Sequence, residues 1–223
     1  MLRSLSNLAN ASAYDVYEFL IRIPIILFSL TVHEIAHGYT AYKMGDPTAK
    51  SLGRLSLNPL KHLDPIGALC MLLFGFGWAK PVPINTRYFK KPRAGMALTA
   101  LAGPVSNLLM AFVSFIAWLY ISVLGGASPL FVELLGIFFE DFFVLNLGLA
   151  VFNLVPVPPL DGSRILFVLL PDKIYFGIMR YERYIYLALL VCLYLGVLDA
   201  PLNAAMRGVL WLFSKVAGIL PLL

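Results

Sequence analysis

Charge is scarce in this chain. Asp, Glu, Lys and Arg together make up 13% of its 223 residues, about half the share of a soluble domain. Hydrophobic residues make up 60% and the mean hydropathy is +0.84. A chain of this length has no interior large enough to hide so much apolar surface. The composition excludes an ordinary water-soluble enzyme and a disordered protein, and it predicts an integral membrane protein. Cysteine is nearly absent too. Cys70 and Cys192 lie inside apolar runs, with no disulfide framework or CxxC metal motif, so both read as small buried apolar residues. The first fifteen residues, MLRSLSNLANASAYD, are small and polar and do not form a typical cleavable signal peptide. No repeat or low-complexity tract divides the chain. One membrane-embedded domain over residues 1–223 is expected, with no room for a large soluble appendage.

The net charge of +5 comes from 17 Lys and Arg against 12 Asp and Glu. In a soluble protein this excess would suggest nucleic acid. Here the basic residues sit in short loops between apolar runs, so they report topology, and the expected partner is the lipid bilayer. Apolar runs at about 17–42, 94–124, 134–155, 184–198 and 203–222 read as five full spans of an all-α polytopic protein. The run 66–78 holds thirteen residues with three glycines, a length that suits a re-entrant or interfacial segment. Lys43, Lys50, Arg54 and Lys61 precede it, and Lys80, Arg87, Lys90, Lys91 and Arg93 follow it. A re-entrant run puts both basic loops in the cytoplasm, together with Arg164, Lys173, Arg180 and Arg183, and leaves the N-terminus outside. A kinked sixth span is the alternative. Residues 43–93 are rich in proline and carry short alternating pieces, 54–57 and 82–85, that suggest strands or extended edges of a hairpin.

Ionisable residues inside spans are costly and mark function by default. The first span contains His33-Glu34-Ile35-Ala36-His37. Positions i and i+4 share a helix face, so the two histidines can hold one metal between them. Glu34 lies about 100° around the helix from His33, where it reaches a water on that metal without being a ligand. The bland alternative is three side chains satisfying one another in a helix bundle.

A catalytic zinc site takes a third protein ligand and leaves one position open. His62, in the proline-rich segment, is one candidate. Asp161 is the other, at the end of Asn153-Leu-Val-Pro-Val-Pro-Pro-Leu-Asp161-Gly162. Pro156, Pro158 and Pro159 prevent a normal helix there, and irregular backbone at membrane depth is tolerated where it lines a cavity. A helix cap at the membrane surface is the bland reading of Asp161. In the five-span topology both motifs fall towards the cytoplasmic ends of their spans, at similar depth.

These motifs resemble the site-2 protease family of intramembrane zinc metalloproteases. HEIAH and NLVPVPPLDG carry the resemblance, which extends through GRLSLNPLKHLDPIG, GWAKPVPIN and ALAGPVSN over roughly residues 30–165. It is closest to the compact prokaryotic branch without a PDZ or CBS domain. The resemblance implies His33, His37 and Asp161 as ligands of one Zn²⁺ per chain and Glu34 as the catalytic base. It places Asn153 near the substrate or the reacting carbonyl, and it matches His62 to a histidine without an assigned role. Asn107, after Gly103 and Pro104, is expected either to orient a ligand or to join helices, and the small run Ala97, Ala100, Ala102 and Gly103 to serve close packing. The implied substrate is a membrane protein with a transmembrane helix, cleaved in or near that helix at the cytoplasmic side of the cell membrane. Such a helix must unwind before its carbonyls are reachable, and Lys80–Asn85 is a candidate edge for pairing with the unwound stretch. A non-proteolytic scaffold or transporter is the competing class. A transporter would show paired repeats, and a lapsed protease would have lost Glu34 or a ligand.

Overall fold

The computed structural model describes residues 13–67, 79–123 and 129–218. Cys70 and most of the run 66–78 lie outside the described residues. Within them the protein is all-helical. Helix α1 spans Ala13–Lys43 and is followed by the short α2, Thr48–Ser51. Two 3-10 turns, Pro59–Lys61 and Thr86–Tyr88, punctuate the proline-rich segment. Then come α3, Pro92–Val123, and α4, Pro129–Asn153. The chain ends in α5, Asp161–Phe167, α6, Asp172–Met179, α7, Glu182–Tyr194, and α8, Asp199–Val216.

Three of these helices are long and apolar enough to cross a membrane, within α1, α3 and α4. Their outward faces carry Leu109, Val113 and Tyr120, each more than 60% exposed. In water such a surface would aggregate; in lipid it is ordinary. The last two predicted spans take a different form. Helix α7 has 13 residues, about 20 Å of helix against a hydrocarbon core of about 30 Å. It meets α8 at an angle of 83°, and only together are the two both long and apolar enough for a span. The break falls at Gly196, whose φ of 71° is a left-handed value that glycine adopts freely. Apolar periodicity reads composition and cannot register such a corner.

Helix α3 is the centre of the bundle, packed along α4 and α1. Ala111, Phe115, Phe143, Leu147, Val151 and Phe213 form the core where α3, α4 and α8 meet. Helices α1 and α4 are tied near the start of α1. Arg22 donates to both oxygens of Asp141, at 3.0 and 2.9 Å, and the Tyr17 hydroxyl donates to the Leu134 carbonyl at 3.2 Å. A bidentate pair satisfies both charges at once, which is the form an ion pair takes where solvation is poor.

No strand forms among the described residues, so the expected strands at 54–57 and 82–85 are absent as such. The reason lies in the backbone donors. Pro81 and Pro83 have none, and those of Val82 and Asn85 go to side chains. What remains is one isolated antiparallel bridge, Leu63 with Ala79, beside a bond from the Lys80 N–H to the His62 carbonyl at 2.8 Å. The chain therefore leaves Leu63 and returns at Ala79 to the same place. From there residues 79–85 run as an extended strap across α1. Gly38 lets the strap lie close, since a Cβ there would stand 2.7 Å from Leu55 Cδ2 and 3.0 Å from Val82 Cγ1.

Candidate metal centre

His33 and His37 lie one turn apart on the inward face of α1, both buried. Asp161 opens α5, directly after the irregular stretch that follows α4. That stretch folds back tightly: a Cβ at Gly162 would collide with the Leu154 carbonyl. Glycine thus allows the turn that carries Asp161 under α1. The Nε2 atoms of the two histidines are 2.9 Å apart, and each is 3.2 Å from Asp161 Oδ2. Among the described residues these three form the one group able to hold a metal ion.

The tautomers decide what this cluster is. His37 Nδ1 lies 2.7 Å from the Thr99 carbonyl. A carbonyl only accepts, so Nδ1 carries a proton, and a neutral ring then leaves Nε2 bare. His33 Nδ1 lies 2.5 Å from Asn107 Oδ1, again an acceptor. Both Nε2 lone pairs therefore face a carboxylate oxygen, and Asp161 Oδ2 is buried with no hydrogen-bond partner. Three electron-rich atoms in mutual contact repel one another unless a cation lies between them. Two neutral imidazoles and a carboxylate suit zinc, whose tetrahedral ligands stand about 3.3 Å apart. The donor set fits that ion.

Helix α3 closes the other side. A Cβ at Gly103 would come within 2.5 Å of His37 Nε2 and Cε1, and 2.6 Å from His33 Cε1. The small residue is therefore part of the site: α3 approaches the histidine edges where any side chain would fill the space. Pro104, next to it, has no N–H and leaves the Ala100 carbonyl without its usual helical donor. Of the small run that the sequence assigns to packing, Gly103 packs against the site itself.

The remaining expected residues separate. Glu34 is half-buried, and its Oε2 accepts from the Val82 N–H at 2.7 Å. Asn107 is wholly buried, in contact with His33 on one side and Asn146 on the other. Asn153, the last residue of α4, donates to the Leu149 carbonyl one turn back at 2.9 Å. His62 is buried away from the cluster, with Nε2 on the Ser56 carbonyl at 2.9 Å, where it closes its own loop. Of the two candidates for third ligand, Asp161 is the one beside the histidine pair.

Four participants are not among the residues expected from the sequence. Thr99 contributes only its carbonyl and Val82 only its amide, and main-chain groups carry no sequence signal. Asp46, wholly buried, accepts from the Asn85 N–H at 2.6 Å and from Thr48, so it holds the far end of the strap. Asn146 did carry a signal, as a lone amide in a strongly apolar helix.

Comparison with known proteins finds peptidases and zinc metalloproteases. The model of peptidase family M50 matches residues 121–196, the part that includes Asp161. YwhC of Bacillus subtilis, named as a candidate zinc metalloprotease, is 46% identical over 196 residues, 86% of this chain and 90% of its own. MJ0611 of Methanocaldococcus jannaschii, named in the same way, is 33% identical over 155 residues, 69% of this chain and 72% of its own. MJ0392 of that organism, named as a zinc metalloprotease, is 30% identical over 150 residues, which are 34% of its length. No solved structure matches the chain.

Proposed function

Because the chain belongs to peptidase family M50 and is a metalloprotease with membrane-spanning helices, we propose that it hydrolyses peptide bonds in or near transmembrane segments of membrane protein substrates. In this reading His33, His37 and Asp161 hold one zinc ion per chain, and Glu34 is the general base. The observation that carries it is the buried convergence of three metal-ligand atoms, from His33, His37 and Asp161, within 3.2 Å of one another. Bound there, zinc would supply a Lewis acid that lowers the pKa of a water to about 7 and polarises a peptide carbonyl.

The protein's own residues do the rest. Glu34 takes a proton from the attacking water and delivers it to the leaving amine. One of its oxygens is anchored by the Val82 amide, which leaves the other for proton transfer. Asn153 keeps one amide proton beyond its bond to Leu149, and donates it to the oxygen of the reacting carbonyl. An unwound substrate lies along the strap. There the N–H groups of Lys80, Val82 and Asn85 are already engaged, and Ile84 offers a donor with no partner among the described residues.

The meeting of Leu63 and Ala79 supports a re-entrant course for the run between them, with both flanking basic loops on one face. In this reading the zinc site faces the cytoplasm of a cell-membrane protein. The test is Glu34→Gln. Gln still accepts from Val82 but takes no proton, so the variant should carry the same zinc as wild type and lose cleavage of a transmembrane reporter by at least about 100-fold. Normal turnover by a zinc-loaded variant would remove Glu34 from the mechanism.

A further inference from the structure

Asn146 lies within α4 and is wholly buried. Its side-chain amide has only one orientation open to it. The Nδ2 group donates to the Phe142 carbonyl at 2.8 Å and to Ser29 Oγ at 2.9 Å. The Phe142 carbonyl has no proton to give, so the oxygen of Asn146 cannot occupy that position. Oδ1 must then point at Asn107, and it accepts from Asn107 Nδ2 at 2.8 Å. This in turn fixes Asn107, whose own oxygen is left to face His33 Nδ1.

We propose that Asn146 is a positioning residue that sets the tautomer of His33 through Asn107, holding the His33 proton on Nδ1 and Nε2 bare for a metal. The polarity is set by a main-chain carbonyl and passed through two amides. His37 needs no such relay, because the Thr99 carbonyl faces its Nδ1 directly. The two ligand histidines are thus fixed by different means, one by backbone and one by side chains on two other helices.

Without Asn146, Asn107 is free to turn over. Its NH₂ would then face His33 Nδ1, which favours the tautomer with the proton on Nε2. That proton would point at Asp161 and satisfy the orphaned oxygen, and a metal would have to displace it. Loss of a group that orients a ligand lowers metal affinity by roughly 10- to 100-fold. An amide serving only to join helices would have no preferred direction.

The importance of the relay rests on the metalloprotease reading, but the tautomer is measurable without metal. The experiment uses the full chain in lipid nanodiscs, stripped of metal and labelled with ¹⁵N at histidine. The ring nitrogens of His33 are assigned by comparison with His37 and His62 variants. Wild type should show protonated Nδ1 and bare Nε2. Asn146→Leu should show both tautomers and bind zinc 10- to 100-fold more weakly against a chromophoric chelator. Asn146→Asp should keep the wild-type tautomer, since its buried, protonated side chain donates to the Phe142 carbonyl and offers its other oxygen to Asn107. A wild-type tautomer and affinity in Asn146→Leu would overturn the proposal. So would an Asn146→Asp variant as altered as Asn146→Leu, which would reduce Asn146 to packing. If the leucine variant does not fold, Ser29→Ala takes its place. The Phe142 carbonyl still sets the amide there, so a shifted His33 tautomer would sink the relay. A wild-type protein that binds no zinc yet shows bare Nε2 would instead remove the metalloprotease reading and leave the relay standing.

Discussion

The main-chain N–H of Val82 donates to Glu34 Oε2 at 2.7 Å. This single bond ties the extended strap to the acidic residue between the two histidines. Asp46 repeats the arrangement at the other end of the strap, with the Asn85 N–H at 2.6 Å. Two carboxylates belonging to α1 and the turn after it thus grip alternate stretches of one extended segment.

Between Lys80 and Asn85 the backbone donor of Ile84 has no partner among the described residues and is left for an incoming peptide. Ile84→Val keeps that donor and a β-branched side chain, and should cleave a transmembrane substrate at close to the wild-type rate. Ile84→Pro removes the donor and restricts Pro83 before it, and should lower cleavage at least about tenfold with zinc content unchanged. Parallel zinc and turnover assays decide it. A folded, zinc-loaded proline variant with wild-type turnover would make the strap a mere connector.

Asp161→Ala should lose both metal and activity, because it removes one of three donors. His62→Ala should keep stoichiometric zinc, since His62 is bonded to Ser56 away from the cluster. Elemental analysis of the two purified variants separates them. Tight zinc in the aspartate variant, with loss in the histidine variant, would reverse the assignment of the third ligand.

Gly103→Ala puts a methyl group within 2.5 Å of His37 Nε2. Helix α3 or the histidines must then shift, and zinc affinity should fall by 10-fold or more. Gly136→Ala, where a Cβ meets nothing within 4 Å, is the matched control and should be unchanged in both. Equal zinc affinity in the two variants would show that α3 yields without disturbing the site.

The course of residues 43–93 is open to labelling. In a background lacking Cys70 and Cys192, single cysteines at Ser51 and Arg87 should both be shielded from an impermeant reagent added outside the cell. Modification of only one would make the run between them a true span.

The chemistry was more legible than the architecture. The helical period of HEIAH puts both histidines on one face whatever surrounds them, and Asp161 stands out as a charge beside prolines at the end of an apolar run. The three long helices follow directly from apolar length. The corner between α7 and α8 does not, because Leu195 to Leu198 are as apolar as their neighbours apart from Gly196, and only its backbone turns. The strap reads as a strand because Val82–Asn85 alternate, yet its donors are claimed by Glu34 and Asp46, which lie 39 to 48 residues away in sequence. Asn107 and Asn146 are visible as buried amides, but the direction of their hydrogen bonds appears only with Phe142 and Ser29 in place.

The Arg22–Asp141 pair gives α1 a fulcrum. Eleven residues separate Arg22 from His33, a lever arm of about 16 Å along the helix. A tilt of about 5° about that point would carry His33 about 1.4 Å sideways by the same arithmetic, close to half its 3.2 Å separation from Asp161. The alignment of the histidines is thus exposed to mechanical load applied far from them. Arg22→Met, which frees the pivot, should therefore loosen zinc without touching a single ligand, and an unaltered zinc affinity would show that α3 alone bears the load.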